Sequence, residues 1–287
     1  MYPAAFEYLE PKSLQEAVDF LAQLGEDARI LAGGQSLIPL MKLRLARPKY
    51  LIDLNRVAGL SYVEERDGCL MIGALTRHAD IESSPLVREK IPMMREAVSL
   101  LGDLQVRNLG TAAGAIVEAD PAGDWGPVIL ALNARLRCLG PRGEREIKAT
   151  DFYTFAYTTV LETDELVREI AVPIPSKPTL GRYIKLERVA GDFAVASVAV
   201  QVDIDKDRIC RDIGIGLGGA GECPVKAAAV ETMLRGQRLS PEIIERAGEQ
   251  IQEIASPISD LRGSFEYKKE VLKVIFCRAL AQLIEQQ

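Results

Sequence analysis

Apolar residues recur along this chain at two periods, and the alternation between them outlines its elements. Leu14, Val18, Leu21 and Leu24 keep helical spacing behind Ser13-Leu-Gln-Glu16. That tetrad is a capping box, in which hydroxyl and carboxylate satisfy backbone donors, so a helix is predicted over 13–24, ending at Gly25. "ARILAGG" (28–34) reads as a short strand running into two glycines. "SLIPLMKLRLA" (36–46) predicts a short helix or turn, and "YLIDL" (50–54) a further strand. From Leu60 the pattern becomes strand, turn, strand, with Asp67-Gly68 as the hairpin signal. "LVREKIPMMREAVSLLG" (86–102) reads as helical to Gly102. "GPVILALNARLRCLGPRGEREIKATDF" (126–152) reads as an apolar helix or strand flowing into a hairpin at Pro141-Arg-Gly143, and "ELVREIAVPIP" (165–175) as a strand closed by prolines.

The Pro/Ser/Lys stretch "PIPSKP" (173–178) marks a domain boundary. Beyond it, residues 193–224 predict two strands around Asp205-Lys-Asp207, and 224–236, 241–255 and 265–285 carry helical spacing. The expected fold class is α+β. A first domain spans 1–177, with subdomains of about 1–57 and 58–177, and a second, a small antiparallel sheet with helices on it, spans 178–287. The chain's 287 residues exceed the usual ~100–200 per domain, which agrees with that division.

Composition narrows the function. Lys+Arg number 35 against 41 Asp+Glu, a net charge of −6, without a basic stripe or basic-aromatic interleaving, so no nucleic-acid partner is expected. No run approaches the ~18 apolar residues of a membrane span and no leader pattern opens the chain, which places the protein in the cytoplasm. Cys69, Cys138, Cys210, Cys223 and Cys277 are scattered, and His78 is the single histidine. Metal sites need clustered thiolates or imidazoles, so no metal is expected, and the cysteines read as buried small hydrophobes. His78 lacks a nucleophile motif around it and reads as a surface or hydrogen-bonding residue, which leaves no expected catalytic residue.

Two small-residue stretches carry the chemistry. Ala32-Gly33-Gly34-Gln35-Ser36 lets amides turn toward an anion with no Cβ in the way, yet it lacks the third glycine of a Rossmann fingerprint and the Gly-Lys-Ser/Thr of a Walker A loop. Gly110, Thr111, Ala112, Ala113, Gly114 and Ala115 form the second, ahead of an acidic loop with Glu118, Asp120 and Asp124. Two such loops suit the two phosphates of a dinucleotide, with the carboxylates taking ribityl or ribose hydroxyls.

Both stretches, with Y-x-K-x-x-R-x-x-G-D-F-A at 183–194 and "DLRGSFEYKKEVLKVIFCRAL" at 260–280, resemble the FAD-binding medium subunits of molybdenum hydroxylases, the carbon monoxide dehydrogenase and xanthine dehydrogenase flavin family. The resemblance runs nearly end to end. It implies a vanillyl-alcohol-oxidase (PCMH)-type FAD-binding domain followed by a C-terminal domain that helps enclose the flavin. It also implies that residues 32–36 and 111–115, flanked by Leu37 and Gly110, hold the FAD diphosphate. Asp124 would then bind the ribityl chain, with Lys185 and Phe193 beside the isoalloxazine. The implied partners are a large molybdopterin subunit and a small subunit with two [2Fe–2S] clusters, in a dimer of heterotrimers. Electrons would cross the clusters to FAD and leave to a quinone, NAD or oxygen. A self-contained FAD oxidase and a scaffold that has lost its flavin are the competing readings.

The chain departs from the family pattern at four positions. The second loop usually reads T-I-G-G and then a polar residue, where Thr111-Ala-Ala-Gly-Ala115 stands here, so Ala113 replaces a glycine and Ala115 a polar side chain. Gln35 replaces a histidine and Phe193 a tyrosine. Because Gly110 and Gly114 bracket the turn, Ala113 is expected at negative φ, with FAD held by main-chain amides.

Overall fold

The structure, a computed structural model, describes residues 2–177 and 179–286. Its first unit contains β1 (Glu7–Leu9), α1 (Leu14–Leu24), β2 (Ala28–Leu31), α2 (Leu37–Lys42) and β3 (Tyr50–Asp53). The three strands pair in parallel in the order β1-β3-β2. Parallel neighbours need a crossover, and α1 is part of it, with Ala17, Val18 and Leu21 buried in one cluster with Ala28 and Ile52. The Ser13 half of the capping box forms as read, Oγ accepting from the Glu16 amide at 3.1 Å, while the Glu16 carboxylate accepts from the Lys12 amide at 2.6 Å, one residue before the amide a capping box would use. The "ARIL" strand ends at Leu31, before the glycines, which belong to the turn into α2.

The second unit is an antiparallel sheet of β4 (Val63–Arg66), β5 (Cys69–Gly73), β6 (Arg135–Gly140), β7 (Gly143–Lys148) and β10 (Leu166–Pro173), ordered β4-β5-β10-β6-β7, with β8 (Tyr153–Phe155) and β9 (Thr158–Thr159) as a separate hairpin. Short helices cover one face: α3 (His78–Ser83), α4 (Pro85–Lys90), α5 (Pro92–Ser99), α6 (Leu104–Leu109), α7 (Ala112–Glu118) and α8 (Trp125–Ala131). The helix read over 86–102 is two helices, because Pro92 has no N–H to continue α4 and Ile91 leaves helical geometry at φ −142°. The second small-residue loop is helical from Ala112, with Thr111 as its N-cap.

Beyond it lie β11 (Leu180–Leu186), β12 (Ala196–Ile204), β13 (Cys210–Gly218) and β14 (Val225–Lys226) in an antiparallel sheet, followed by α9 (Ala228–Leu234), α10 (Pro241–Ile254) and α11 (Phe265–Glu285). The helical spacing read over 224–236 is split, since Val225–Lys226 pairs with β13 before α9 begins. The sheet is buried on both faces. Val198, Val200 and Val202 of β12 pack in the cluster that holds α11, while Ala199 belongs to the cluster that holds α8.

The α8 face has a device the hydrophobic pattern conceals. Gly214, Gly216 and Gly218 alternate along β13, and a Cβ on Gly214 or Gly216 would stand 1.9 Å from the Ala131 carbonyl oxygen or 2.0 Å from that of Pro127. The backbone of α8 therefore lies directly on the strand, where only glycine fits. The two units are keyed together by this contact.

Candidate functional site

A cleft of about 530 Å³ runs between the three units, lined at one end by Leu21 and Ile30 and at the other by Asp124 and Phe193. Its waist is the meeting of the two small-residue stretches. A Cβ at Gly33 would lie 2.3 Å from the Leu109 carbonyl oxygen and 2.6 Å from Gly110 Cα, so Gly33 is glycine because another backbone passes there. Arg77 fastens the crossing, donating to the Leu109 carbonyl and, at 2.5 Å, to Asn55 Oδ1, while Asn55 donates to the Ala32 carbonyl at 2.8 Å. Gly34 adopts φ +71°, which turns the chain into α2.

Both stretches open helices toward the cleft. Among the described residues, the amides of Gln35, Ser36, Leu37, Thr111 and Ala113 donate to no acceptor. Helix starts leave such donors unpaired, and two facing sets suit the oxygens of a diphosphate. Thr111 Oγ1 is spent on its own helix, accepting from the Gly114 amide at 3.1 Å. Ala113 lies inside α7 and is absent from the positive-φ residues, so the departure from glycine costs no backbone strain there. Gly110, Thr111, Ala113, Gly114 and Ala115 line the cleft, as do Ala32, Gly33, Gly34, Gln35, Ser36 and Leu37, whereas Ala112 is wholly buried beneath them.

Asp124 sits at the start of α8 yet does not cap it. Its carboxylate turns inward, accepting from the Tyr183 hydroxyl at 2.6 Å and the Lys185 ammonium at 3.2 Å. Burial pushes the Asp124 carboxyl above the usual carboxylate range, against the opposing pull of Lys185 and Tyr183. Lys185 itself does not line the cleft: its ammonium is divided among Asp124, Glu187 and the Leu100 carbonyl, one layer behind the surface. Phe193 is at the mouth, half-exposed, with the Arg262 guanidinium 5.6 Å over its ring. Glu118, also lining the cleft, has its carboxyl raised by burial and then by Asp120.

Sequence reasoning missed several lining residues. Leu101, Gly102 and Gly191 reach the cleft because a Cβ at Gly191 would meet the Gly102 carbonyl at 2.7 Å, a contact between distant loops with no local signature. His78 reaches it too, buried, with its Nδ1 accepting from Trp125 Nε1 at 3.2 Å. Of the cysteines, Cys69, Cys138 and Cys210 are buried as read, and Cys223 and Cys277 are half-buried.

A parallel unit and an antiparallel unit that clasp an amide-lined cleft, with a third sheet closing its mouth, define a PCMH-type flavin-nucleotide-binding protein. Residues 4–175 match the family described as FAD binding domain in molybdopterin dehydrogenase, and residues 182–283 match the CO dehydrogenase flavoprotein C-terminal domain. The chain is 41% identical to the glyceraldehyde dehydrogenase medium chain of Sulfolobus acidocaldarius over 99% of its length and 100% of the relative's. It is 38% identical to the nicotine 6-hydroxylase medium subunit of Paenarthrobacter nicotinovorans, with 97% of each covered. A solved carbon monoxide dehydrogenase from Hydrogenophaga pseudoflava superposes with a TM-score of 0.97 at 39% identity, covering 99% of each chain. The chain belongs to the FAD-binding medium subunits of the molybdenum hydroxylases, a family of oxidoreductases, and FAD is its cofactor.

Among the described residues, no helix is long and apolar enough to cross a membrane.

Proposed function

We propose that this chain is the electron-transfer subunit of a molybdenum hydroxylase complex. It works beside a large molybdopterin subunit and a small subunit with two [2Fe–2S] clusters, in a dimer of heterotrimers. The observation that carries the reading is the pair of helix starts that line one cleft, with free amides at Gln35, Ser36 and Leu37 in one and at Thr111 and Ala113 in the other. The cleft's residues fit FAD: glycines where two backbones cross, unpaired amides at the waist, and carboxylates toward the mouth. When bound, FAD supplies the exchange between one-electron delivery from the clusters and two-electron output to a quinone, NAD or oxygen.

This chain's own residues bind and orient. The free amides of Gln35, Ser36, Leu37, Thr111 and Ala113 would donate to the diphosphate oxygens, and Asp124, held by Tyr183 and Lys185, would accept from a ribityl hydroxyl. Phe193, fixed under Arg262, packs beside the flavin ring, while Lys185 acts on it through Asp124. The same reading divides the chain into an FAD-binding domain, 1–177, and a C-terminal domain, 178–287. The relatives are medium chains of enzymes named for glyceraldehyde, carbon monoxide and nicotine, at comparable identity to this chain, which supports substrate choice residing in the large subunit.

The test is copurification. The tagged chain, expressed with its neighbouring genes, should bring down two untagged chains identifiable by mass spectrometry, with a flavin-plus-cluster absorption spectrum. A yellow protein that oxidises substrate without any partner would overturn the reading in favour of a self-contained oxidase.

A further inference from the structure

His78 is the only histidine, and its setting specifies which ring nitrogen carries the proton. Trp125 Nε1 lies 3.2 Å from His78 Nδ1, with the rings stacked 6.1 Å apart at 25°. An indole nitrogen donates and never accepts, so Nδ1 must be the bare nitrogen and Nε2 must bear the hydrogen. Among the described residues the His78 side chain bonds only through Nδ1, so the Nε2–H has no acceptor, and Nε2 is not fully enclosed where His78 lines the cleft. Gly110 packs close against that edge of the ring: at φ −62° it needs no glycine conformationally, but a Cβ there would lie 2.8 Å from His78 Cδ2 and 3.0 Å from Nε2, so a larger residue would cover the nitrogen. The His78 amide donates to the Gly110 carbonyl at 3.0 Å, which ties the ring to the crossing of the two small-residue stretches.

Resting on the flavin-nucleotide reading of the cleft, we infer that His78 is a positioning residue whose Nε2–H donates to a phosphate oxygen of the bound FAD. Burial first, then Arg107 and Arg77, holds the imidazole neutral, with a pKa lowered to about 4, so the donor stays single and fixed at neutral pH. The two free amide sets grip the diphosphate from the backbone, and His78 adds a side-chain donor between them.

The test uses the whole chain, stripped of flavin and titrated with FAD, beside His78→Phe and His78→Gln. Phosphorus NMR of each FAD-saturated protein reads the two phosphates directly. His78→Phe is expected to lose tenfold or more in FAD affinity, the scale of one hydrogen bond to a charged group, and to shift one bound phosphorus resonance. His78→Gln, which keeps an N–H donor, is expected to stay within about threefold of wild type. Wild-type affinity in His78→Phe, or weaker binding with both resonances unmoved, would overturn the inference. Should His78→Phe not fold, the ring nitrogens of wild type labelled with nitrogen-15 decide: a His78 Nε2–H signal that does not move on FAD binding would also overturn it. A wild-type protein that takes up no FAD would instead overturn the reading of the cleft itself.

Discussion

The glycines and alanines of the cleft act at the residue scale for reasons that differ position by position. Gly33 makes room for the backbone of Leu109 and Gly110, which cannot yield without parting the two stretches. Gly33→Ala should therefore weaken FAD binding at least tenfold and destabilise the protein by about 1–3 kcal/mol, the usual range for overpacking, as read by flavin titration and denaturant unfolding. Ala113 is the opposite case. It sits in α7 with no positive φ, so Ala113→Gly should leave FAD affinity within about threefold while costing up to about 1 kcal/mol of helix stability. A tenfold gain in affinity would show that the alanine is strained.

His78 adds a pH dependence whose sign follows from its depressed pKa. Between about pH 6.5 and 4 the unfolded chain protonates this ring and the folded chain does not, so the unfolded state binds more protons and stability falls with pH across that window. The loss from this group approaches about 3 kcal/mol at its lower end. Urea melts at pH 7 and pH 4.5 should show a smaller difference in His78→Gln than in wild type. An unchanged difference would mean that His78 is not the titrating group.

At the scale of elements, the docking of α8 on β13 is the contact that joins the FAD-binding unit to the C-terminal sheet. A Cβ at Gly216 would drive into the Pro127 carbonyl at 2.0 Å, and one at Gly126 would meet Pro224 Cγ at 2.2 Å. Gly216→Ala should cost about 3 kcal/mol, because helix and strand backbones must separate to admit it. Limited proteolysis should then cut the 174–179 connection faster, with a lowered unfolding midpoint. Unaltered proteolysis and stability would show that α8 can slide on the sheet without cost. The same docking places Asp124, the residue before α8, against Tyr183 and Lys185 of β11, so a change at the glycine stripe also reaches the cleft.

At the scale of the whole molecule, the cleft draws residues from every unit: Leu21 and Ile30 from the first, Thr111 and Asp124 from the second, Phe193 from the loop between β11 and β12. A ligand gripping all three binds only the assembled state. FAD at about 100 times its dissociation constant should add about 2.7 kcal/mol to the unfolding free energy. Calorimetry should show the whole transition moving upward together. A shift confined to one of two transitions would mean that the C-terminal sheet does not contribute to the site.

Much of this was legible in sequence because it is local. The Ser13 cap, the Asp67-Gly68 hairpin and the period of α10 and α11 depend on residues within one or two turns of each other, and the structure forms them as read. The two small-residue stretches were visible too, since glycine and alanine runs mark close backbone approach. Their partners were not. That Gly33 abuts Leu109, that Gly216 carries a helix at Pro127, that Lys185 stands behind Asp124 and that His78 meets Trp125 are facts about residues 47 to 89 positions apart in sequence and touching in space. Composition and periodicity report burial and local hydrogen bonding, whereas the tautomer of His78 and the inward turn of Asp124 are set by which neighbour the tertiary fold supplies. The chain's pattern thus determined most of its helices and strands and the position of its two small-residue turns, though not the short helices at 78–83, 104–109 and 112–118. Only packing decided which donors remained free to face the cleft, because an amide is unpaired or satisfied according to what lies opposite it.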